Sequence, residues 1–337
     1  MVSIPHHAPP ADLGGTGLVL GLDIGGTKLA AGVVDSSGRI LSLVRVPTPN
    51  AQAGWRPGVD ALFTLGRRAM ESAGIEAAQL TGIGVASGGP LDPAAGLILG
   101  PPNLPAWENV PVVQLAEAAF RRPAFLENDA NAGALASHRW GAWAGEPNLV
   151  YMTISTGIGG GVLIDGRLLR GAAGNAGEIG HAVVDWDGRS CDCGQRGCVE
   201  AYVSGTSIAR RATEALQTGR RSSLSEIPQV TAADVAAAAA RADELATEIW
   251  HDTTAILGAA VTSMLNLFEP SVVILGGGVT QAGAMLIDPV RAMARSLALS
   301  PNARRAEVVI TPHGDAIGVL GSAAAAITQL QIGTASE

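Results

Sequence analysis

The sequence predicts an α/β protein built from two copies of one unit. Two glycine-rich turns, Gly25-Gly26-Thr27 and Gly157-Ile158-Gly159, each join two apolar strands. Each hairpin is followed by further strands and helical segments, so the order of elements repeats along the chain. This alternation favours sheets that are covered by helices. We therefore expect a cleft between the two copies, where the two hairpins face each other.

Short apolar runs bounded by turn residues define the elements of the first half. Asn109 is expected to cap a helix whose first turn contains Pro111, since both residue types are favoured there. In order, the predicted elements are strands over residues 18–22, 29–34 and 39–46, a helix over 57–72, a strand over 80–86, a helix from Pro111 and a strand over 124–126.

The second half is expected to repeat this plan after its own glycine turn over residues 156–161. A strand over 149–155 precedes that turn, and a returning strand over 162–164 follows it. The remaining predicted elements are helices over 207–216, 232–240 and 242–268, a strand over 272–275, a helix over 284–299, a strand over 308–311 and a helix over 316–328.

Length and composition limit the class of protein. A chain of 337 residues with 47% hydrophobic content is long enough for two domains with large cores. Its net charge of −8 gives no general attraction to nucleic acid. The longest weakly polar run, Ala255 to Phe268, is too short to span a bilayer, and residues 1–17 do not resemble an export signal. We expect a cytoplasmic protein that binds neither nucleic acid nor membranes.

Lys28 is the one lysine among the 22 lysine and arginine residues, and it lies beside the first glycine turn. Two explanations stay open for it. It is either a leftover codon or a position where a compact ammonium fits and a planar guanidinium does not.

All three cysteines of the chain lie close to a histidine in the sequence. His181, Cys191, Cys193 and Cys198 span 18 positions, and the cysteines share their loop with Asp, Gln and Arg. One imidazole and three thiolates suit tetrahedral zinc. A disulfide would leave one thiol unpaired, and Cys-x-x-Cys redox spacing does not occur. Because four protein ligands fill the coordination sphere, we predict a structural zinc site.

Two turns and two aspartates are candidates for phosphate chemistry. Glycine lets backbone N–H groups approach a phosphate closely, although an ordinary hairpin is the alternative for either turn. Neither turn fits a Walker loop or Gly-x-Gly-x-x-Gly, which disfavours a Rossmann dinucleotide site. Asp23 is placed to bind Mg²⁺, and Thr27 can donate to a phosphate oxygen. Asp129 is a candidate catalytic carboxylate, with helix capping by Asn128 or Asp129 as the alternative.

Five motifs that follow one another along the chain resemble those of one protein family. They are Asp23-Ile24-Gly25-Gly26-Thr27-Lys28, Glu127-Asn128-Asp129, the run from Ile154 to Gly161, Glu178-Ile179-Gly180-His181, and the cysteine loop that ends at Glu200. Together they resemble the ROK family of bacterial sugar kinases and sugar-responsive repressors, over about Leu18 to Ala326. This resemblance implies the actin-like, ribonuclease-H-like ATPase fold, in which two duplicated α/β domains flank a cleft.

The resemblance also implies roles for individual residues. Asp129 is implied to be the base that takes the proton from the sugar hydroxyl as its oxygen attacks the γ-phosphorus of ATP. The implied sugar contacts are Asn103, Asn128, Asp129, Glu178, His181 and Glu200. The candidate nucleotide contacts are Asp23, Gly25, Gly26, Thr27, Lys28, Thr156, Gly157, Gly159, Gly277 and Gly278. Zinc on one ring nitrogen of His181 would orient the other nitrogen toward the sugar.

The implied activity is that of an ATP-dependent, Mg²⁺-using hexose kinase of the glucokinase type, acting on the 6-hydroxyl. N-acetylmannosamine and N-acetylglucosamine kinases use similar motifs, and Ala106 stands where glucokinases often have glycine. Repressors of the family carry an N-terminal helix-turn-helix, and the seventeen residues before Leu18 are too few for one. Because family members usually self-associate, we expect a homodimer or homotetramer.

Three segments are expected in the domain plan. Residues 1–17 form a flexible tail. Residues 18–128 with 315–337 form an N-terminal domain that carries the first phosphate turn. Residues 129–314 form a C-terminal domain that carries the zinc loop together with sugar and nucleotide contacts.

Overall fold

The computed structural model of the chain describes residues 17–49 and 54–335, so the predicted tail lies outside the described residues except for Gly17. The described chain divides into two units. The first contains the residues up to Pro147, the segment Asp165–Ala176 and the residues from Ala316 onward. The second contains Asn148–Ile164 and Gly177–Asp315.

The strands of the described residues include all those predicted, with differences at their ends, and three two-residue strands besides. They are β1 (Leu18–Ile24), β2 (Lys28–Val34), β3 (Ile40–Pro47), β4 (Leu80–Ser87), β5 (Leu91–Asp92), β6 (Leu97–Ile98), β7 (Ala124–Asn128), β8 (Leu149–Ile154), β9 (Ile158–Ile164), β10 (Arg167–Leu168), β11 (Val272–Gly276) and β12 (Glu307–Ile310).

The α-helices include those predicted from the sequence, the long helix of the second half among them, and one four-residue helix that was not predicted. They are α1 (Arg56–Ala73), α2 (Val112–Phe120), α3 (Asp129–Arg139), α4 (Glu200–Val203), α5 (Gly205–Gln217), α6 (Ala232–Ala240), α7 (Glu244–Phe268), α8 (Ala284–Leu297) and α9 (Ile317–Ala335).

The duplication predicted from the sequence is confirmed by the strand topology. In the first unit the strand order is β3-β2-β1-β4-β7, where β1 is antiparallel to β2 and parallel to β4, and β4 is parallel to β7. In the second unit the order is β9-β8-β11-β12, where β8 is antiparallel to β9 and parallel to β11, and β11 is parallel to β12. Each unit is thus a hairpin extended by parallel strands.

The units differ from the predicted domains at residue 129. The prediction assigned α3 to the second domain, but in the structure this helix belongs to the first unit. Leu135 and Ala136 of α3 share a buried apolar cluster with Val319 and Leu320 of α9. Packing against α9 therefore decides where α3 belongs. The segment Asp165–Ala176 also belongs to the first unit, although the sequence on both sides of it belongs to the second.

Two local predictions are wrong. Asn109 does not cap a helix, because it has a positive φ of 52° and α2 begins only at Val112, after Pro111. The glycine turn predicted over residues 156–161 is shorter than expected, since β9 begins at Ile158 and contains three of the four glycines of that run. Gly160 is needed in the strand because a Cβ there would lie 2.4 Å from the side chain of Ile179.

A row of glycines crosses the first sheet beneath α9. Gly21 pairs with Gly32 on one side and with Gly84 on the other. A Cβ at Gly21 would lie 2.5 Å from the carbonyl oxygen of Val319, and one at Gly84 would lie 1.8 Å from that of Ser322. These glycines allow the backbone of α9 to contact the strands directly, at a distance that any side chain would prevent.

Helix α9 is the one helix of the described chain that is long and apolar enough to cross a membrane by length and composition. The longest weakly polar run in the sequence, Ala255 to Phe268, lies in α7 instead. Val319, Leu320 and Ala323 of α9 are buried in an apolar cluster with Val19 and Ala30 of the first sheet. This core position accounts for the apolar composition of the helix.

We predict that Gly84→Ala destabilises the protein by about 3 kcal/mol, because the new methyl group must push α9 away from β4. Denaturant unfolding followed by circular dichroism measures this change. Gly333→Ala is the matched control on α9, since nothing lies within 4 Å of a Cβ there and alanine favours the helix. Equal stability of the two variants would contradict the direct contact between α9 and the sheet.

Candidate functional site

The first unit gathers several candidate residues at one edge of its sheet. Strands β1, β4 and β7 are parallel neighbours, so their carboxyl ends lie at the same edge. Ile24 pairs with Ser87, which in turn pairs with Asn128. Asp23 on β1 and Asp129 directly after β7 therefore share this edge. Open α/β sheets bind their ligands at the carboxyl ends of the strands.

Asp129 is the first residue of α3, and its neighbour carries the helix cap. The Oδ1 of Asn128 accepts hydrogen bonds from the N–H groups of Ala130 (3.0 Å) and Asn131 (3.1 Å). Burial raises the pKa of Asp129 above its ordinary value, and the hydrogen bond from Ala130 N–H at 2.8 Å offsets part of that shift. A carboxylate with a raised pKa at a strand end has the properties of a general base.

Asp23 lies against the first turn of α9. A Cβ added at Gly318 would lie 2.2 Å from the Oδ2 of Asp23 and 2.4 Å from its Cγ, so this approach requires glycine. The carboxylate is half-buried and lies near the amino-terminal end of the helix, where the helix dipole favours negative charge. An anionic oxygen donor in this position fits a hard cation such as Mg²⁺.

The first glycine turn is held closed by its own backbone and by Thr48. Gly25 N–H donates to the carbonyl oxygen of Lys28 at 3.0 Å, and the Thr48 hydroxyl donates to that of Gly25 at 2.6 Å. A Cβ at Gly26 would lie 2.8 Å from the Cβ of Asn103. The structure therefore brings Asn103, a predicted sugar contact, against the predicted phosphate turn.

The second unit also places its candidate residues together. The turn between β8 and β9 ends at Ile158, whose N–H donates to the Oε2 of Glu200 at 2.6 Å. A Cβ at Gly157 would lie 2.7 Å from the same carboxylate oxygen, and one at Gly277 would lie 2.4 Å from the carbonyl oxygen of Ile154. The predicted phosphate turn, the predicted nucleotide contact Gly277 and the predicted sugar contact Glu200 therefore form one cluster.

The Glu178-to-His181 motif contacts the same turn from another side. Ile179–His181 forms one 3₁₀ turn after Glu178. A Cβ at Gly180 would lie 2.3 Å from the carbonyl oxygen of Ile158. The backbone of Ile158 is thus contacted on its N–H by Glu200 and on its carbonyl by Gly180.

The four predicted zinc ligands are close together in space. The nearest ligand atoms of His181, Cys191, Cys193 and Cys198 all lie within 4.8 Å of one another. The Sγ of Cys191 is 3.8 Å from the Nδ1 of His181, and the Sγ atoms of Cys193 and Cys198 are 3.7 Å apart. Four donors at these distances can surround a single small cation.

The electrostatics of the cluster also fit a cation. Burial raises the pKa of Cys191 and, with hydrogen bonds that the Cys198 thiol donates to the other two sulfurs, raises the pKa of Cys198 to about 12. Burial also acts to raise the pKa of Cys193, but hydrogen bonds from the Gln195 backbone and the neighbouring thiols outweigh it and lower that pKa. Three thiolates this close repel one another, and a divalent cation supplies the compensating charge.

Comparison with known proteins identifies the family to which the chain belongs. The family model described as ROK matches residues 19–329. The chain belongs to the ROK family. The glucokinase of Streptomyces coelicolor is 33% identical over 320 residues, which are 91% of this chain and 96% of that protein. A crystal structure of a ROK family glucokinase from Streptomyces griseus, in complex with glucose and AMPPNP, is 34% identical, has a TM-score of 0.80, and matches over 93% of this chain and 100% of that one.

A kinase named for another sugar is nearly as similar. The N-acetylmannosamine kinase of Shigella flexneri is 31% identical over 308 residues, which are 90% of this chain and 97% of that protein. The predicted family resemblance and the predicted actin-like α/β fold are therefore confirmed.

The predicted site residues of this ROK protein are divided between the two units. Asp23, Gly25, Gly26, Thr27, Lys28, Asn103, Asn128 and Asp129 lie in the first unit, and Thr156, Gly157, Gly159, Glu178, His181, Glu200, Gly277, Gly278 and the three cysteines lie in the second. Gly159 lies within β9, where it pairs with Thr153. Trp107, four residues after Asn103, is 1% exposed and packs in the core of the first unit.

Sequence reasoning missed Gly318. The feature of the sequence that could have pointed to it is the spacing of Gly318 and Gly321. They lie three residues apart and therefore share one face of α9. Both glycines allow close contacts, the first with Asp23 and the second with Ala132 of α3.

We predict that Gly318→Ala weakens binding of Mg²⁺-ATP by about tenfold, because the new methyl group displaces the Asp23 carboxylate or the start of α9. Isothermal titration calorimetry measures the dissociation constant. Gly333→Ala on the same helix is expected to bind the nucleotide like the unsubstituted protein. Unchanged binding by Gly318→Ala would show that the position of Asp23 does not matter for the nucleotide.

Proposed function

We propose that this chain is an ATP-dependent hexose kinase that transfers the γ-phosphoryl group to the 6-hydroxyl of glucose. The observation that carries the proposal is the position of Asp129, a half-buried carboxylate with a raised pKa at the strand-to-helix junction of β7 and α3. Similarity to glucokinases over nearly the whole chain supports the same activity.

In the proposed mechanism Asp129 accepts the proton of the sugar hydroxyl. The hydroxyl oxygen forms a bond to the γ-phosphorus, the bond from that phosphorus to the β–γ bridging oxygen breaks, and ADP leaves. Because phosphoryl transfer needs positioning and charge neutralisation more than covalent assistance, one base and two phosphate turns are sufficient protein machinery. The base works best when its pKa is close to the working pH, which agrees with the raised pKa of Asp129.

We assign the phosphate groups of ATP to the glycine turns. The Gly25-to-Lys28 turn and the turn at Thr156 and Gly157 supply backbone N–H groups, and Thr27 supplies an exposed hydroxyl. Asp23 would hold Mg²⁺, which neutralises charge on the phosphate oxygens. Gly277 and Gly278, directly after β11, are assigned to the adenosine.

We assign the sugar hydroxyls to Asn103, Asn128, Glu178, His181 and Glu200. Two of these side chains already have one atom engaged, which identifies the other atom as the sugar contact. Asn128 uses Oδ1 as a helix cap, so its Nδ2 is assigned to the sugar. Glu200 uses Oε2 to accept from Ile158 N–H, so its Oε1 is assigned to the sugar.

We infer that His181, Cys191, Cys193 and Cys198 hold a structural Zn²⁺. The approach of Cys191 to the Nδ1 of His181 assigns Nδ1 to the metal and leaves Nε2 for a sugar hydroxyl. The metal would fix the direction of the imidazole and hold the loop that precedes Glu200.

Glucose is proposed over N-acetyl sugars because Asn103 and the segment after it resemble those of glucokinases. The alternative substrate is N-acetylmannosamine or N-acetylglucosamine, and Ala106 is the point at which this segment departs from the glucokinase pattern. We further propose a cytoplasmic homodimer or homotetramer, as is usual in the family.

The first experiment compares kcat/KM for glucose, N-acetylglucosamine, N-acetylmannosamine, mannose, fructose and allose, with ADP release as the measurement. We expect a clear preference for glucose. Preference for an N-acetyl sugar would keep the mechanism and change the substrate. Absence of turnover with every sugar would contradict the kinase and favour a sugar-binding regulator.

Asp129→Asn is expected to lower kcat by at least about 100-fold, because the amide cannot accept the proton. Asparagine can still accept the hydrogen bond from Ala130 N–H, so the start of α3 should be preserved. The measurement is kcat on the preferred sugar, with sugar affinity measured separately by calorimetry.

Asp60→Asn is the matched control for this substitution, since Asp60 is exposed on α1. The activity of the unsubstituted enzyme should also fall as the pH drops through the raised pKa of Asp129, because only the ionised carboxylate acts as a base. Full activity of Asp129→Asn would exclude this residue as the base.

Removal of zinc is expected to raise the KM for the sugar by about tenfold or more, because His181 loses its fixed direction. The enzyme is dialysed against a zinc chelator and then returned to excess Mg²⁺, and zinc content and sugar KM are measured together. Added Zn²⁺ should restore the sugar KM.

Cys193→Ser should lose zinc as well, since it removes one of the four ligands. Ser190→Ala, in the same loop but outside the cluster, should keep the metal. A zinc-free enzyme with an unchanged sugar KM would show that the metal does not support sugar binding.

A further inference from the structure

Glu127 is a buried carboxylate directly before the two predicted substrate-contacting residues. Its side chain is 2% exposed, and Glu127 is the second-to-last residue of β7. One oxygen, Oε1, accepts from the N–H of Asn128 and from the Nδ2 of Asn131, each at 3.1 Å. The other oxygen, Oε2, lies 2.7 Å from the NH1 of Arg170. A buried charge needs such partners because its transfer out of water is costly.

The contacts of Glu127 surround Asp129 without touching it. Asn128 precedes the proposed base and Asn131 follows it by two residues, and both donate to the same oxygen of Glu127. Within the described chain the amide oxygen of Asn131 has no hydrogen-bond partner. The hydrogen bond from its Nδ2 to Glu127 is therefore the polar contact that orients this side chain. Glu127 therefore fixes the first turn of α3, and with it the direction of the Asp129 side chain.

Arg170 reaches this cluster from the segment Asp165–Ala176. It is 35% exposed, whereas its partner carboxylate is buried. Its own carbonyl oxygen accepts from Ala176 N–H at 3.1 Å, which closes the segment into a loop. Along the chain this loop leads, through Gly177, directly to Glu178. The cation that balances Glu127 is thus anchored at both its side chain and its backbone.

We propose that Arg170 is a positioning residue for phosphoryl transfer, which acts on Asp129 through the buried carboxylate of Glu127. The proposal rests on the proposed kinase activity with Asp129 as the base. Without Arg170 the charge of Glu127 has no cationic partner, so the carboxylate must recruit water or turn away. Either change releases Asn128 and Asn131 and misdirects the base.

The test replaces Arg170 by Met and by Lys and measures kcat and KM well below the melting temperature of each variant. Arg170→Met should lower kcat by about 10-fold to 100-fold, the effect of a small misplacement of a catalytic group. The KM for Mg²⁺-ATP should stay unchanged, because the nucleotide contacts are elsewhere. Arg170→Lys should keep kcat within about threefold, since one nitrogen makes the ion pair and the charge is retained.

A rescue variant separates positioning from general damage. In Glu127→Gln/Arg170→Met the buried group is neutral and its oxygen can still accept from Asn128 and Asn131, so kcat should recover to within about fivefold of the unsubstituted enzyme. Failure of this double variant to recover activity would overturn the proposed route through Glu127. An unchanged kcat in Arg170→Met would overturn the role of Arg170.

Arg122→Met is the matched control in the same unit. Arg122 is half-buried, precedes β7 at the end opposite to Glu127, and donates to the carbonyl oxygens of Ala77 and Ala78. The Arg122→Met variant should lose stability and keep its kcat. If its kcat fell as much as that of Arg170→Met, the effect of Arg170 would be structural and not positional. Because the unsubstituted enzyme and Asp129→Asn are assayed alongside, a failure of the kinase proposal itself is seen separately from a failure of this inference.

Discussion

The direct contact between α9 and the first sheet is the constraint on which the first unit depends. Gly32, Gly21 and Gly84 form a row without side chains, so the backbone of α9 lies against the strands. Two further glycines of the helix then meet the functional elements. Gly318 allows the approach of Asp23, and Gly321 allows α3 to pack closely at Ala132. The two aspartates proposed for metal binding and base catalysis are therefore held by one helix.

The second unit has a comparable centre in the backbone of Ile158. Its N–H donates to Glu200 and its carbonyl lies against Gly180. Both contacts come from motifs assigned to the sugar, while the turn that ends at this residue is assigned to phosphate. The segments of this unit that are assigned to sugar and to phosphate thus contact each other directly. A substitution in one segment is therefore expected to disturb the other.

Much of this arrangement could be predicted from the sequence. The strands, the two hairpins and the cysteine cluster depend on local patterns, and the five motifs identify the family. Other features depend on contacts between distant segments. Gly159 and Gly160 have the composition of a turn, but the pairing partner of their strand decides their conformation. The membership of α3 depends on α9, which comes near the end of the chain.

The pair of Glu127 and Arg170 shows the same limit at the site. Each residue is a common surface type in a sequence, and no spacing rule connects them, so their contact emerges only when the segment Asp165–Ala176 is folded. Gly318 was missed for the same reason, since the side chain it accommodates lies on the first strand of the unit.

The order of the units along the chain has a consequence for biosynthesis. Helix α9 follows every other described element, yet it covers the first sheet. During translation the strands of the first unit leave the ribosome long before the helix that covers them. All described segments of the second unit precede that helix. The nascent chain therefore presents an uncovered apolar sheet face for most of its synthesis, which is the kind of surface that chaperones bind.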